Sequence, residues 1–309
     1  VTPRVVVIAG PTASGKTPLS LRLADVLRSA AHGPEVRILS ADAMCVYREM
    51  DIGTAKPTIA ERNGFAHFGI DLCDPSVEYS LADWLQHARE VVSQAKAENA
   101  TLIIVGGTGL YVHALVDNLV LPGQFPAARA QIEAEPDTFA LYLELKAIDP
   151  LAATKMEPTN RRRIVRALEV CKGSGQPFSS FGPGVAQFPE TSWTLIGTQV
   201  DRELLDARIA ARIETQLGDG WLDEVARLRD RDQGWSKTAR QALGYPELLG
   251  VVNDSAPLAD AVANICARTR VFARRQQRWF RRDPRFEWMQ LGQDGWSDET
   301  VSMLASKIT

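Results

Sequence analysis

Residues 10–17 read GPTASGKT and directly follow the apolar run VVVIA. In the pattern G-x-x-x-x-G-K-[ST], glycines let the chain wrap so that successive backbone N–H groups point inward, and the helix that follows adds its positive N-terminal end. Gly10, Pro11, Thr12, Ala13, Ser14, Gly15, Lys16 and Thr17 therefore make a candidate phosphate loop. Lys16 supplies a full charge and Thr17 a hydroxyl suited to Mg2+. Pro18 falls in the first helical turn, where a missing N–H costs little. The motif alone leaves open whether a diphosphate or a triphosphate is bound. Asp42 closes a second apolar run, VRILSAD. A carboxylate there holds Mg2+ indirectly, activates an acceptor, or merely caps a turn. A second glycine cluster, GGTGLY (106–111), lacks the third glycine of a dinucleotide fingerprint and is expected to line the same crevice.

These residues need a scaffold that brings strand ends together. Short apolar runs at 5–10, 36–42, 101–109 and 193–200 alternate with amphipathic stretches at 15–31 and 81–98. Strands that are apolar throughout are buried on both faces, which implies a parallel sheet covered by helices. Ser80 with Asp83 offers the second helix an N-cap. From about 118 to 191 the pattern turns helical only, breaking at SGQPFSSFGPG, and strand-like runs resume at Trp193. The expected organisation is an α/β phosphate-loop core over 1–117 and 192–309, with a helical insertion at 118–191. Residues 201–230 and 258–282 read as further helices, the latter ending ahead of Pro284.

The chain of 309 residues is 45% hydrophobic with net charge -3, which describes a globular protein with one large core or two ordinary ones. No apolar stretch is long enough to span a membrane and VTPRVVVIAG carries no charged leader, so the cytoplasm is the expected location. Cys45, Cys73, Cys171 and Cys266 form no CxxC pair, which disfavours a zinc cluster or a disulfide framework. The mean charge conceals a basic segment, ARTRVFARRQQRWFRRDPR (267–285), with eight arginines against one acid. Arg270, Arg274, Arg278 and Arg281 follow helical spacing along one edge, Arg275 and Arg282 lie on another, and Phe272 and Trp279 are expected to pack inward. That density favours phosphate binding over a solvated face.

In order and spacing, GPTASGKT, SADAMCVYREMDIGTAKPT, IDLCDP, GGTGLY, RALEV, ALGY and RRQQRWFRRDPR resemble the tRNA dimethylallyltransferase family, from about Val5 to Trp288. The resemblance implies transfer of a five-carbon group from dimethylallyl diphosphate to N6 of the adenosine after the anticodon, position 37, by a monomer that binds the tRNA anticodon stem-loop and uses Mg2+. It implies that Asp42 is the general base, that Thr108 lies where base and diphosphate meet, and that Arg212 contacts the diphosphate. Arg208 and Arg212 share a helix face, for which a solvated or salt-bridged role is the alternative. The resemblance further implies RNA contacts by Asp42, Ala43, Met44, Cys45 and Thr108, by Arg129, Arg162, Arg163 and Arg166, and by Arg274, Arg275, Gln276, Arg278, Trp279 and Arg281. Chemistry on a stacked base requires its extrusion into a channel.

Cys45 stands where the family commonly has Gln, and Pro246 follows ALGY where a basic residue is frequent, with Arg240 as its stand-in. The spacing of Cys and His leaves out the zinc finger of eukaryotic members, as in a compact bacterial-type enzyme. His67, Asp71 and Asp74 read as turn and packing residues. Three alternatives compete: a phosphate-loop kinase, a prenyltransferase acting on free AMP or ATP, and an RNA-binding protein with a degenerate pocket. Intact Lys16, Thr17 and Asp42 argue against the last.

Overall fold

The structure is a computed structural model that describes residues 4–29, 35–182 and 187–308. The first apolar run is strand β1 (Val5–Ala9), buried along its whole length. The glycine-rich loop leads into helix α1 (Lys16–Ser29), whose Leu19, Leu23 and Leu27 recur at helical spacing and are fully buried. Next come β2 (Val36–Ser40), β3 (Ala66–Phe68), α2 (Leu81–Ala97), β4 (Thr101–Gly106) and α3 (Gly109–Val116). Ser80 caps α2 as expected: its hydroxyl accepts from Asp83 N, and the Asp83 carboxylate accepts from Ser80 N.

Four helices follow: α4 (Pro126–Glu133), α5 (Thr138–Ile148), α6 (Pro150–Thr154) and α7 (Arg161–Ser174). The chain then enters β5 (Thr194–Gln199), α8 (Arg202–Gly218), α9 (Trp221–Arg229), α10 (Tyr245–Val252), α11 (Leu258–Phe280), β6 (Glu287–Gln290) and α12 (Asp298–Ile308). All the strand pairs are parallel, in the order β3-β2-β4-β1-β5-β6. β1 sits between β4 and β5, so the loops leaving β1, β2, β4 and β5 emerge on one edge of the sheet.

Contacts divide the chain into two units, residues 1–116 with 190–309, and residues 117–189. The second has its own core, in which Ile132, Leu141, Leu145, Ile164 and Leu168 pack together. Two buried acids organise it. Asp149 caps α6 through Ala152 N and also accepts from Ser179 N and Oγ. Burial pushes its carboxyl up, but these bonds outweigh that and hold it below the usual range. Glu169 accepts from Phe125 N and is ion-paired to Arg166 and Arg129. Of the SGQPFSSFGPG break, residues 183 and 184 lie outside the described residues.

Several elements differ from expectation. β3 and β6 form no apolar run, because both are short edge strands with exposed positions. The helical stretch 201–230 is two helices, since Gly220 adopts φ 94° and turns the chain between α8 and α9. α3, GLYVHALV, is buried without a break from Tyr111 to Leu115 and so lacks the amphipathic period that marks a helix. The basic helix ends at Phe280, two residues short of the expected 282.

Candidate functional site

The phosphate loop is held from several directions. Ser14 Oγ, fully buried, donates to Pro11 O (2.7 Å) and meets Thr198 Oγ1 of β5 at 2.6 Å. Gly15 has φ 75°, its carbonyl accepts from Trp296 Nε1 (2.7 Å), and a Cβ there would lie 2.8 Å from that indole nitrogen. Thr12 N is bound by Gln276 Oε1 at 2.8 Å, and Ser14 N by Pro11 O. Among the described residues no such bond engages the N–H groups of Ala13, Gly15, Lys16 and Thr17, which form an open row of donors at the start of α1. The Thr17 hydroxyl is likewise unspent and exposed, while those of Ser14 and Ser20 are bound within the protein.

Cations surround this row. Lys16 Nζ lies 2.5 Å from Pro11 O. Burial and the neighbouring Arg212 push the Lys16 ammonium down to about 7, against the opposing pull of Asp42. Arg212 itself is lowered by burial. On α8, Arg208 Nε donates to Ala13 O (2.9 Å) and Arg212 Nη1 to Thr12 Oγ1 (3.3 Å), so this helix face is turned to the phosphate loop rather than to solvent. Two like charges held together, with the single carboxylate of Asp42 nearby, make a site that favours a multiply charged anion.

Asp42 follows β2. Its Oδ1 accepts from Met44 N (2.8 Å) and Cys45 N (3.3 Å), a local turn that sets the side chain. The other oxygen, Oδ2, makes no hydrogen bond among the described residues. Ala43 N donates to Thr108 Oγ1 at 3.1 Å, which joins the Asp42 turn to the loop after β4. The glycines of that loop answer to close packing: a Cβ on Gly107 would sit 2.3 Å from the Gln276 amide, and one on Gly109 would sit 2.1 Å from the Trp279 indole. Cys45 is buried with Sγ 3.8 Å from Thr54 O, and burial together with Asp42 raises its thiol far above the ordinary value, so it stays a neutral wall residue.

Lys16, Thr17, Asp42, Thr108 and Arg212 line one cavity of about 850 Å³, together with Phe272, Arg275 and Trp279. A second cavity of about 1240 Å³ is also lined by Lys16, Thr17 and Arg212, and extends along Asp51, Arg62 and Arg208. The two therefore meet at the phosphate loop.

Sequence reasoning missed the carboxylate that shapes the far wall. Glu224 of α9 is buried, and its two oxygens accept from Asp51 N (2.8 Å), Ile52 N (2.8 Å), Gly53 N (3.1 Å) and Tyr245 Oη (2.7 Å). Burial first, then Glu224, raises the Tyr245 phenol well above its ordinary value. Lys56, also buried, binds Tyr47 O, Asp51 and Asp71 at 2.5, 2.5 and 2.6 Å. The MDIGTAKP segment is thus pinned at both ends. An acid on an amphipathic helix looks solvated in sequence, and nothing local marks Glu224 as buried.

The arginines separate into spent and exposed. Arg274, Arg275 and Arg278 are exposed on α11, whereas Arg270 pairs with Asp206 (3.7 Å) and Arg281 reaches Gln199 (3.3 Å). In the helical unit Arg162 and Arg163 are exposed, while Arg129 and Arg166 are tied to Glu169 and Arg161 binds the carbonyls of Glu133, Glu135 and Pro136. Gln276, expected to face RNA, is buried with its amide engaged. Phe272, expected to pack inward, is 42% exposed at the cavity, and Trp279 is partly exposed there. Pro246 lies in the first turn of α10, where no N–H is required. Asp71 and Asp74 form ion pairs with Lys56 and Arg231, in keeping with a packing role.

The family model described as IPP transferase matches residues 45–283. A tRNA dimethylallyltransferase of a Nocardioides species is 39% identical over 307 residues, spanning 98% of this chain and 96% of that protein. One from Streptomyces coelicolor is 43% identical over 293 residues, 94% of this chain and 91% of that protein. Among solved structures, the full-length tRNA isopentenylpyrophosphate transferase of Bacillus halodurans is similar with a TM-score of 0.70 at 33% identity, over 99% of this chain and 96% of that one.

Proposed function

This chain belongs to the IPP transferase family, and from that premise we propose that it transfers a dimethylallyl group from dimethylallyl diphosphate to N6 of the adenosine adjacent to the anticodon of tRNA. The observation that carries this reading is the placement of a free carboxylate oxygen, Asp42 Oδ2, in the same cavity as a cationic phosphate loop.

The diphosphate lies on the N–H groups of Ala13, Gly15, Lys16 and Thr17, with Lys16 and Arg212 facing its charge. As the allylic C–O bond breaks, negative charge grows on the leaving oxygens, and these preorganised donors stabilise it. The adenine enters the cavity past Trp279 and Phe272, out of its stack. N6 is a poor nucleophile because its lone pair is delocalised into the purine. Asp42 Oδ2 accepts a hydrogen bond from N6–H, orients the amine and takes its proton as the N–C bond forms. Thr108, through Ala43 N, keeps that carboxylate beside the donor site.

Mg2+ fits the donor set. Among the described residues no cluster of three or more His, Cys, Asp or Glu forms a cage, and the exposed Thr17 hydroxyl at the start of α1 would hold the ion. That is the pattern of an ion held mainly by substrate phosphates and water. Bound there, it would neutralise charge on the departing diphosphate.

Arg274, Arg275 and Arg278 bind RNA phosphates, and Arg162 and Arg163 do so on the helical unit. Both reacting loops come from one chain, which supports a monomer as the working unit. Among the described residues no helix is long and apolar enough to cross a membrane.

Incubation with dimethylallyl diphosphate and unmodified tRNA, followed by mass analysis of the nucleosides, tests the reading. An adenosine heavier by one five-carbon unit is expected. ADP release from ATP with unaltered RNA would replace it with a kinase.

A further inference from the structure

The geometry points to Gln276 as a positioning residue that locks the two reacting loops into register and links that register to the RNA-binding helix. This rests on the prenyl-transfer reading above. Gln276 lies in the arginine-rich stretch of α11, yet it is 7% exposed while Arg274, Arg275 and Arg278 around it are exposed. Its Oε1 accepts from Thr12 N of the phosphate loop (2.8 Å), and its Nε2 donates to Gly107 O of the loop carrying Thr108 (2.9 Å). One planar amide thus spans the donor-side and acceptor-side loops. Its length and orientation set their separation.

The helix is fixed a second time one turn later. Trp279 Nε1 donates to His113 Nδ1 (2.8 Å), and His113 Nε2 faces Asp283 Oδ2 at 3.2 Å, both partners being fully buried. The indole rests on Gly109, the residue after Thr108. α11 therefore presents cations to solvent on one face and grips both catalytic loops with the other. Groups bridged in this way respond to a shift of the helix as a unit, and reacting groups lose rate steeply when displaced.

The variants Gln276→Leu and Gln276→Glu test this, with Arg274→Ala/Arg278→Ala as the comparison. Gln276→Leu is expected to slow single-turnover transfer at saturating substrates about tenfold or more, and to weaken pyrophosphate binding in the absence of RNA about tenfold, while tRNA affinity stays within about twofold. Gln276→Glu keeps an acceptor for Thr12 N and should recover part of the rate. The arginine pair should instead weaken tRNA binding while pyrophosphate affinity in the absence of RNA stays within about twofold. Should Gln276→Leu fail to fold, Trp279→Phe keeps an aromatic face, loses the bond to His113, and is expected to lower the single-turnover rate at saturating tRNA about threefold. Loss of tRNA affinity at an unaltered saturated rate would make Gln276 an RNA contact and overturn the proposal, as would no change in any of the measurements. If the unsubstituted protein yields no modified adenosine, the proposed function fails instead, and the pyrophosphate titration still decides the role of Gln276.

Discussion

The two loops that line the reaction cavity are built by opposite means. The phosphate loop is eight contiguous residues whose free N–H groups await an anion. The segment from Asp42 to Lys56 has its key N–H groups occupied by the protein's own carboxylates: Asp42 holds Met44 and Cys45, and Glu224, more than 160 residues away in sequence, holds Asp51, Ile52 and Gly53. Open donors make a binding site, whereas filled donors make a rigid wall. A site for a charged leaving group needs the first kind, and shape selection for a planar base needs the second.

The largest effect is expected where the two loops meet. Asp42→Asn keeps an oxygen for the Met44 and Cys45 turn but removes the proposed base, so kcat should fall about 10³-fold with tRNA affinity nearly unchanged. Comparable losses in binding and turnover would show that Asp42 belongs wholly to the wall. Glu224→Gln attacks the wall itself. A carboxylate serving four donors is replaced by an amide that turns an NH2 toward some of them, at a cost of about 3 kcal/mol in a denaturant titration. A stable variant would mean that the MDIGTAKP segment needs no distant support.

The donor side should respond to pH. In the free protein Lys16 is held down to about 7, and a bound diphosphate favours its charged form. Affinity for pyrophosphate should therefore fall by up to about tenfold per pH unit above 7, until the raised pKa of the complex is reached, beyond any slope left in Lys16→Ala. Isothermal titrations between about pH 6 and about pH 8, one unit either side of that value, check this. The same shift makes the ligand-free protein more stable as pH rises from about 7 toward 10.5, because the unfolded chain, with an ordinary lysine, binds more protons across that window. The smallest effect concerns strain in the phosphate loop. Ala13 sits at φ 61°, so Ala13→Gly should stabilise the protein by about 1 kcal/mol or less in a denaturant titration.

A similar division separates the arginines. The two basic runs look alike as sequence, yet Arg129 and Arg166 are bound to a buried glutamate while Arg162, Arg163, Arg274 and Arg278 face solvent. Spacing identifies a charged face. It does not identify which charges already have partners.

Local pattern was enough for the parallel sheet and the phosphate loop, because continuous apolar runs and a glycine-lysine spacing act over neighbouring residues. Motif order singles out Asp42, Thr108 and Arg212 as candidates, and the fold brings all three to one cavity. Contacts between distant segments alone decided that Gln276 turns away from solvent onto Thr12 and Gly107, that Glu224 is buried beneath Gly53, and that Trp279 is aligned by His113. The physical reason is burial. A polar side chain on a helix reads as solvent-facing until the opposing backbone N–H and C=O groups that take it out of water are known.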